Sequence, residues 1–186
     1  MNDNGSKKLV ITIGGLPGSG TTTAAELLSK KLELPWTNAG KIFRELAQEK
    51  GMDLNEFGRY AEGNSDVDRE LDRRLVEIMR EGDIIIEGRL ASANANINGI
   101  HALKVWLHAP IKTRVKRIRN RESGDLVTIM KETHERERSE RKRYKDYYNI
   151  DYENLDYYTL VISSAELWPE QIVHVIMETL KIKGMV

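Results

Sequence analysis

The chain has 186 residues, with 29 Lys and Arg against 29 Asp and Glu and no cysteine. That length fits one domain with a sizeable core and argues against a second independent one. Zero net charge speaks against general nucleic-acid adhesion, the lack of cysteine excludes thiolate metal sites, and no apolar run nears the roughly 20 residues that span a bilayer. Residues 1–7, rich in Asn, Gly, Ser and Lys, read as a flexible leader ahead of a single domain at 8–186. They do not resemble a signal peptide, and with zero cysteines this points to the cytoplasm.

Leu9-Val10-Ile11-Thr12-Ile13 is apolar and β-branched and predicts a buried strand, while Ala24, Leu27, Leu28 and Leu32 recur at helical spacing after it. Between them, Gly15-Leu16-Pro17-Gly18-Ser19-Gly20-Thr21-Thr22 has the G-x-x-x-x-G-K-[ST] spacing of a phosphate-cradling loop, with Thr21 where lysine belongs. Its glycines let successive amides converge, and a helix expected to start near Ser19 adds its N-terminal dipole, so main chain would hold an oligophosphate there. Thr22 keeps the hydroxyl that such a loop presents to Mg²⁺. The missing ammonium leaves either an inactive site or a task for arginines elsewhere.

Further strands are expected near Trp36, at Asp83–Glu87, at Leu103–Leu107 and at Thr159–Ser163. Helical patterns separate them: Ile42, Phe43, Leu46 and Ala47; Leu71, Leu75, Ile78 and Met79; Ile111, Val115 and Ile118; then Ile172, Val173, Val175, Ile176 and Leu180. Short continuous apolar strands alternating with helices describe an α/β fold in three layers, a central five-stranded parallel sheet with helices on both faces. Its binding crevice lies beyond the carboxyl ends of the strands.

At one such end stands Glu87-Gly88-Arg89, a carboxylate suited to orient water on Mg²⁺ and a guanidinium suited to grip phosphate. Arg44 is placed one turn into the helix after the second strand and would face the same crevice. From Lys112 to Lys145 there are 13 Lys and Arg against 6 Asp and Glu, a basic stretch that Ser123-Gly124-Asp125 breaks into two helices. Spacing puts Arg114, Arg117 and Arg121 on one helix face. Such lid arginines are candidates for the role of the absent lysine. Trp36, Trp106 and Trp168 are expected in the core or at its edge, and the tyrosines between 144 and 158 in helical packing. Asp66, Asp68 and Asp72 suit the start of a helix, with Asp72 or Arg73 also able to grip a nucleoside.

The segments at 15–23, 39–47 (Ala-Gly-Lys-Ile-Phe-Arg-Glu-Leu-Ala), 68–74 (Asp-Arg-Glu-Leu-Asp-Arg-Arg), 87–91 (Glu-Gly-Arg-Leu-Ala) and 135–144 (Glu-Arg-Glu-Arg-Ser-Glu-Arg-Lys-Arg-Tyr) together resemble cytidylate kinases of the archaeal type. The similarity runs over nearly the whole chain after Lys7. It implies a P-loop kinase fold with a mobile lid at about 117–143 and an acceptor-nucleotide part at about 40–70. By this resemblance Gly15, Leu16, Pro17, Gly18, Ser19, Gly20, Thr21, Thr22 and Thr23 bind ATP. Arg44 and Arg89 hold the acceptor phosphate, and Asp72 and Arg73 stay candidates for the nucleoside by their own position and not by the resemblance. Arg89, Arg121, Arg136 and Arg143 serve catalysis, and Thr22 and Glu87 meet Mg²⁺, partly through water.

The implied reaction is ATP + (d)CMP = ADP + (d)CDP, by a monomer whose partners are small nucleotides and neither nucleic acid nor membrane. Thr at the lysine position is familiar in the archaeal-type sequences. Bacterial cytidylate kinases carry Asp-Gly-Arg-Asp where this chain has Glu87-Gly88-Arg89-Leu90, so their final aspartate, linked to nucleoside recognition, has no counterpart. Three alternatives stay open: a kinase for AMP or UMP, a nucleotide-binding switch without catalysis, and an RNA-binding module built on the basic, tyrosine-rich segment.

Overall fold

The computed structural model describes residues 8–62, 64–122 and 124–186, without the side chains at 54, 55, 62, 65, 68, 122, 139 and 143. The expected leader at 1–7 lies outside the described residues. Five strands, β1 (Val10–Gly15), β2 (Trp36–Asn38), β3 (Ile84–Glu87), β4 (Leu103–His108) and β5 (Leu160–Ser163), form one sheet in the order β2-β3-β1-β4-β5. All four pairings are parallel, with Ile11 opposite both Ile85 and Leu103.

The central strands alternate sharply. Ile11, Ile13, Ile85, Leu103, Val105 and Leu107 face a layer made by α1 (Thr21–Leu32) and α8 (Pro169–Ile182), where Ala24, Ala25, Leu28, Ile176 and Leu180 are buried. Val10, Ile84 and Ile86 face the opposite layer, built by α2 (Ala39–Glu49), α3 (Leu54–Glu62), α4 (Ser65–Glu81) and α5 (Ala91–Ile97). Both faces are apolar because both are covered, which is why these strands read as unbroken hydrophobic runs. The one polar residue in the middle of β1, Thr12, is fully buried and satisfied by Ser92 of α5 at 2.8 Å.

The expected strands are all present, and the first helix starts at Thr21, two residues later than expected, because Gly18 and Gly20 both take left-handed φ (81° and 93°). Two helices were not anticipated, although Asp53 and Glu56 form a reciprocal cap at the start of α3. α3 is short, and α5 is an Ala-Ser-Asn segment whose residues 91–95 are all buried, so no amphipathic period marks it. After β4 come α6 (Ile111–Glu122) and α7 (Leu126–Tyr148), on either side of the expected break, of which Ser123 lies outside the described residues. Asp125 caps α7 by accepting from the Val127 and Thr128 amides, both at 3.0 Å.

Trp106 is buried and Trp36 packs on the core, but Trp168 is 74% exposed. It precedes α8 and contributes its backbone amide to Gln171 Oε1, so its position is set by helix capping and not by burial. Most of the tyrosines do pack: Tyr144, Tyr148, Tyr157 and Tyr158 gather around buried Trp106 and Tyr152, whereas Tyr147 is 70% exposed.

Candidate active site

At the carboxyl ends of β1, β2 and β3 a cleft of about 570 Å³ opens between the glycine-rich loop and the helices that follow each strand. Gly15, Leu16, Pro17, Gly18, Thr21 and Thr22 line one side of it. No side chain caps the N-terminus of α1, so its first-turn amides are presented to the cleft. Ser19 is fully buried with its hydroxyl unpaired.

The loop is braced from behind. Arg114 donates from Nε to Ala109 O at 2.9 Å and from Nη1 to Pro17 O at 3.1 Å, and it forms a buried ion pair with Glu137 of α7. Arg117 reaches Ser164 O at 2.5 Å and touches the carbonyls of Gly18 and Ser19 at 3.4 and 3.5 Å. Gly18 lies so close to the α6 backbone that a Cβ there would come within 2.6 Å of Arg114 O. These two arginines were candidates to replace the missing lysine. Their guanidiniums instead hold loop carbonyls, which turns the loop's amides inward. Helical spacing could not distinguish a cation facing the ligand from one bracing the loop that holds it.

Arg121 and Arg136 do line the cleft, as do Arg44 and Arg89. The structure thus collects cations from α2, the end of β3, α6 and α7 around one space. Arg143 is in α7, with its side chain outside the described residues. Arg89 is only 15% exposed and pairs through Nη1 with Glu140 Oε1 at 3.1 Å, the same oxygen that accepts from Arg136 Nε at 3.0 Å. Arg89 Nε is buried without a partner.

Glu87 also reaches the cleft. Its two oxygens accept from Thr21 Oγ1 at 2.9 Å and Asn38 Nδ2 at 3.0 Å, so the residue in the lysine position supplies an uncharged donor to a carboxylate. Magnesium takes few protein groups and completes its shell with water and phosphate oxygens. Thr22 and Glu87 form such a sparse, all-oxygen set at the phosphate end, and among the described residues no three His, Cys, Asp or Glu gather to hold a metal by themselves. The residues present therefore fit an ion that arrives with a nucleotide.

Asp72 lines the cleft, whereas Arg73 is not among its lining residues: it bonds Glu70 and forms an ion pair with Glu77 on its own helix, which holds it away. Several lining residues escaped sequence reasoning. Asn38 was legible as the residue before a helix, and it does cap α2 by accepting from the Lys41 amide, yet its second bond to Glu87 depends on strand pairing. Glu140 and the cleft-lining Tyr144, Tyr147 and Tyr148 are i, i+4 or neighbouring positions on a long charged helix, where sequence alone favours solvent. Among the described residues no helix is long and apolar enough to cross a membrane.

The sequence profile of the cytidylate kinase-like family matches residues 10–166. The chain is 46% identical over 159 residues to the cytidylate kinase of Methanocaldococcus jannaschii, covering 85% of this chain and 89% of that protein. It is 45% identical over 175 residues to the cytidylate kinase of Methanobrevibacter smithii, covering 94% and 99%. Among solved structures, a protein from Eubacterium ventriosum superposes with a TM-score of 0.70 at 16% identity, over 94% of this chain and 99% of that one. The shikimate kinase of Bacteroides thetaiotaomicron gives 0.64 at 16% identity over 93% and 98%, a likeness of fold alone.

Proposed function

The chain belongs to the cytidylate kinase-like family, and on that premise we propose that it transfers the γ-phosphoryl group of Mg·ATP to CMP and dCMP, yielding ADP and the diphosphate. The observation that carries this reading is the cleft itself: Arg44 and Arg89 line the same space as the glycine-rich loop. A protein that holds one nucleotide on the loop has no use for a second set of phosphate-binding arginines.

The loop amides of residues 15–23 hold the triphosphate, and Arg114 and Arg117 keep that loop in shape from outside. Arg44 and Arg89 hold the acceptor phosphate so that its oxygen approaches the γ-phosphorus in line, which removes most of the entropy cost of bringing two anions together. Arg121 of α6 and Arg136 of α7, with Arg143 also from α7, neutralise charge on the moving group, the task a P-loop lysine normally shares. Mg²⁺ bound with the nucleotide, beside Thr22 and Glu87, supplies further charge neutralisation. Glu87 keeps its carboxylate oriented through Thr21 and Asn38. The protein acts as a cytoplasmic monomer on small nucleotides.

Side-by-side kcat/KM values for CMP, dCMP, UMP and AMP test this. CMP and dCMP are expected to lead. Equal or better turnover of AMP overturns the assignment, and ATP binding without CMP-dependent ADP formation favours a non-catalytic switch.

A further inference from the structure

We propose that Asp72 reads the acceptor base, its carboxylate accepting a hydrogen bond from the 4-amino group of cytosine and repelling the 4-carbonyl of uracil. This rests on the acceptor site proposed above and names what selects the substrate there.

Two carboxylates line the cleft among the described residues, Glu87 and Asp72. Glu87 is engaged at the phosphate end by Thr21 and Asn38. Asp72 is on α4 between Leu71 and Leu75, which line the cleft with Phe43 of α2. Leu75 is buried and the other two pack on the same apolar cluster. Flat apolar walls with one placed polar group are what a nucleobase needs, since the faces of the ring gain by leaving water and its polar edge must be matched.

The rest of α4 leaves this task to Asp72. Arg73 pairs with Glu70 and Glu77, and Arg74 with Glu49 and Glu70, so both cations are held on the helix exterior. Among the described residues Asp72 is the one charged side chain of α4 that lines the cleft. It is also oriented from the far side. Asn94 of α5, 9% exposed, directs Nδ2 toward Asp72 Oδ1 at 3.5 Å. Asn94 is itself fixed in place, its amide donating to Leu90 O at 2.8 Å and its carbonyl accepting from Asn98.

An ionised carboxylate only accepts hydrogen bonds. Cytosine offers it the two protons of an exocyclic amine, whereas uracil places a carbonyl oxygen at the same ring position. A site built to accept from an amine rejects the carbonyl analogue strongly, because two acceptors are then forced together out of water. The same logic makes Asp72 a sorter of amino from carbonyl bases.

The test compares wild type and Asp72→Asn, as full chains, with three acceptors at saturating Mg·ATP: CMP, UMP and the 5′-monophosphate of pyrimidin-2-one riboside, which lacks the 4-amino group. In wild type, removing the amine from the substrate should cost at least about tenfold in kcat/KM. In the variant, kcat/KM for CMP should fall at least about tenfold while UMP holds or improves, and loss of the amine should cost little more. Turnover of UMP by the variant reports that it is folded, and the wild-type comparison needs no variant at all. If wild type prefers CMP yet ignores loss of the amine, or if the variant keeps the CMP-to-UMP ratio within about threefold, this inference is overturned and the kinase reading stands. A wild-type protein that forms no ADP with any pyrimidine monophosphate overturns both.

Discussion

The Thr21 hydroxyl donates to Glu87 Oε1 at 2.9 Å, joining the lysine position of the loop to the end of β3. An ammonium at that point would neutralise the carboxylate. A hydroxyl orients it and leaves its charge available. Glu87→Gln keeps shape and one acceptor for Thr21 but removes the charge and sets an amide NH2 against Asn38 Nδ2. The expected outcome is a fall in kcat of about a hundredfold, some 2.7 kcal/mol of barrier, with a higher Mg²⁺ concentration needed for half-maximal rate and at most a small drop in melting temperature from the lost Asn38 bond. A variant within about threefold of wild type would show that the carboxylate is only a structural acceptor.

One oxygen of Glu140 accepts from both Arg89 and Arg136, and its other oxygen is buried without a partner. The carboxylate thereby links the end of β3 to α7, and in the proposed reaction it would set the angle at which Arg89 meets the acceptor phosphate. Glu140→Gln keeps one oxygen in place while weakening both charge-assisted bonds. kcat/KM for CMP should fall about tenfold, roughly 1.4 kcal/mol, with KM for ATP shifting less than about threefold. Equal losses on both substrates would point to general loosening of α7 instead.

The sheet was legible because each buried strand is a short apolar run bracketed by turns, and the phosphate loop because its glycines have a fixed spacing between strand and helix. α5 was not, since a helix buried all round loses the period that reveals it. Among the residues that line the cleft, Thr22, Glu87 and Arg89 were announced by their neighbours in sequence. Those defined by partners distant in sequence were not. Nothing around Arg114 reveals that Pro17, 97 positions away, accepts its proton, or that Glu140 would meet Arg89.

The cap of α7 gives a pH signature. The Thr128 amide, with smaller help from its hydroxyl and from the Val127 and Leu126 amides, holds the Asp125 carboxyl below its usual range. A carboxyl lowered on folding stabilises fully above its unfolded pKa, near 3.8, and loses that contribution as pH falls through the folded value. Asn at this position still caps but carries no charge toward the helix dipole. Urea unfolding of wild type and Asp125→Asn should show wild type more stable at pH 6 and the gap closing as pH falls below about 4. A gap that is constant with pH would remove the charge from this explanation.

Arg114 and Arg121 are two turns apart on α6, and the structure gives them different work. Arg114 is 4% exposed, bonded to Ala109 and Pro17 and ion-paired with Glu137, whereas Arg121 is exposed and lines the cleft. Arg114→Ala strands a buried carboxylate and releases the Pro17 carbonyl, a change of the kind that costs about 3–5 kcal/mol. Its melting temperature should drop by many degrees and KM for ATP should rise, because the loop loses its brace. Arg114→Met combined with Glu137→Leu removes the stranded charge and should recover most of the stability while KM for ATP stays high. Arg121→Ala should act chiefly on turnover, lowering kcat at least about tenfold. If Arg121→Ala leaves kcat intact while Arg114→Ala lowers it without destabilising the fold, the two roles are interchanged, and the cation that stands in for the loop's lysine acts from behind the loop.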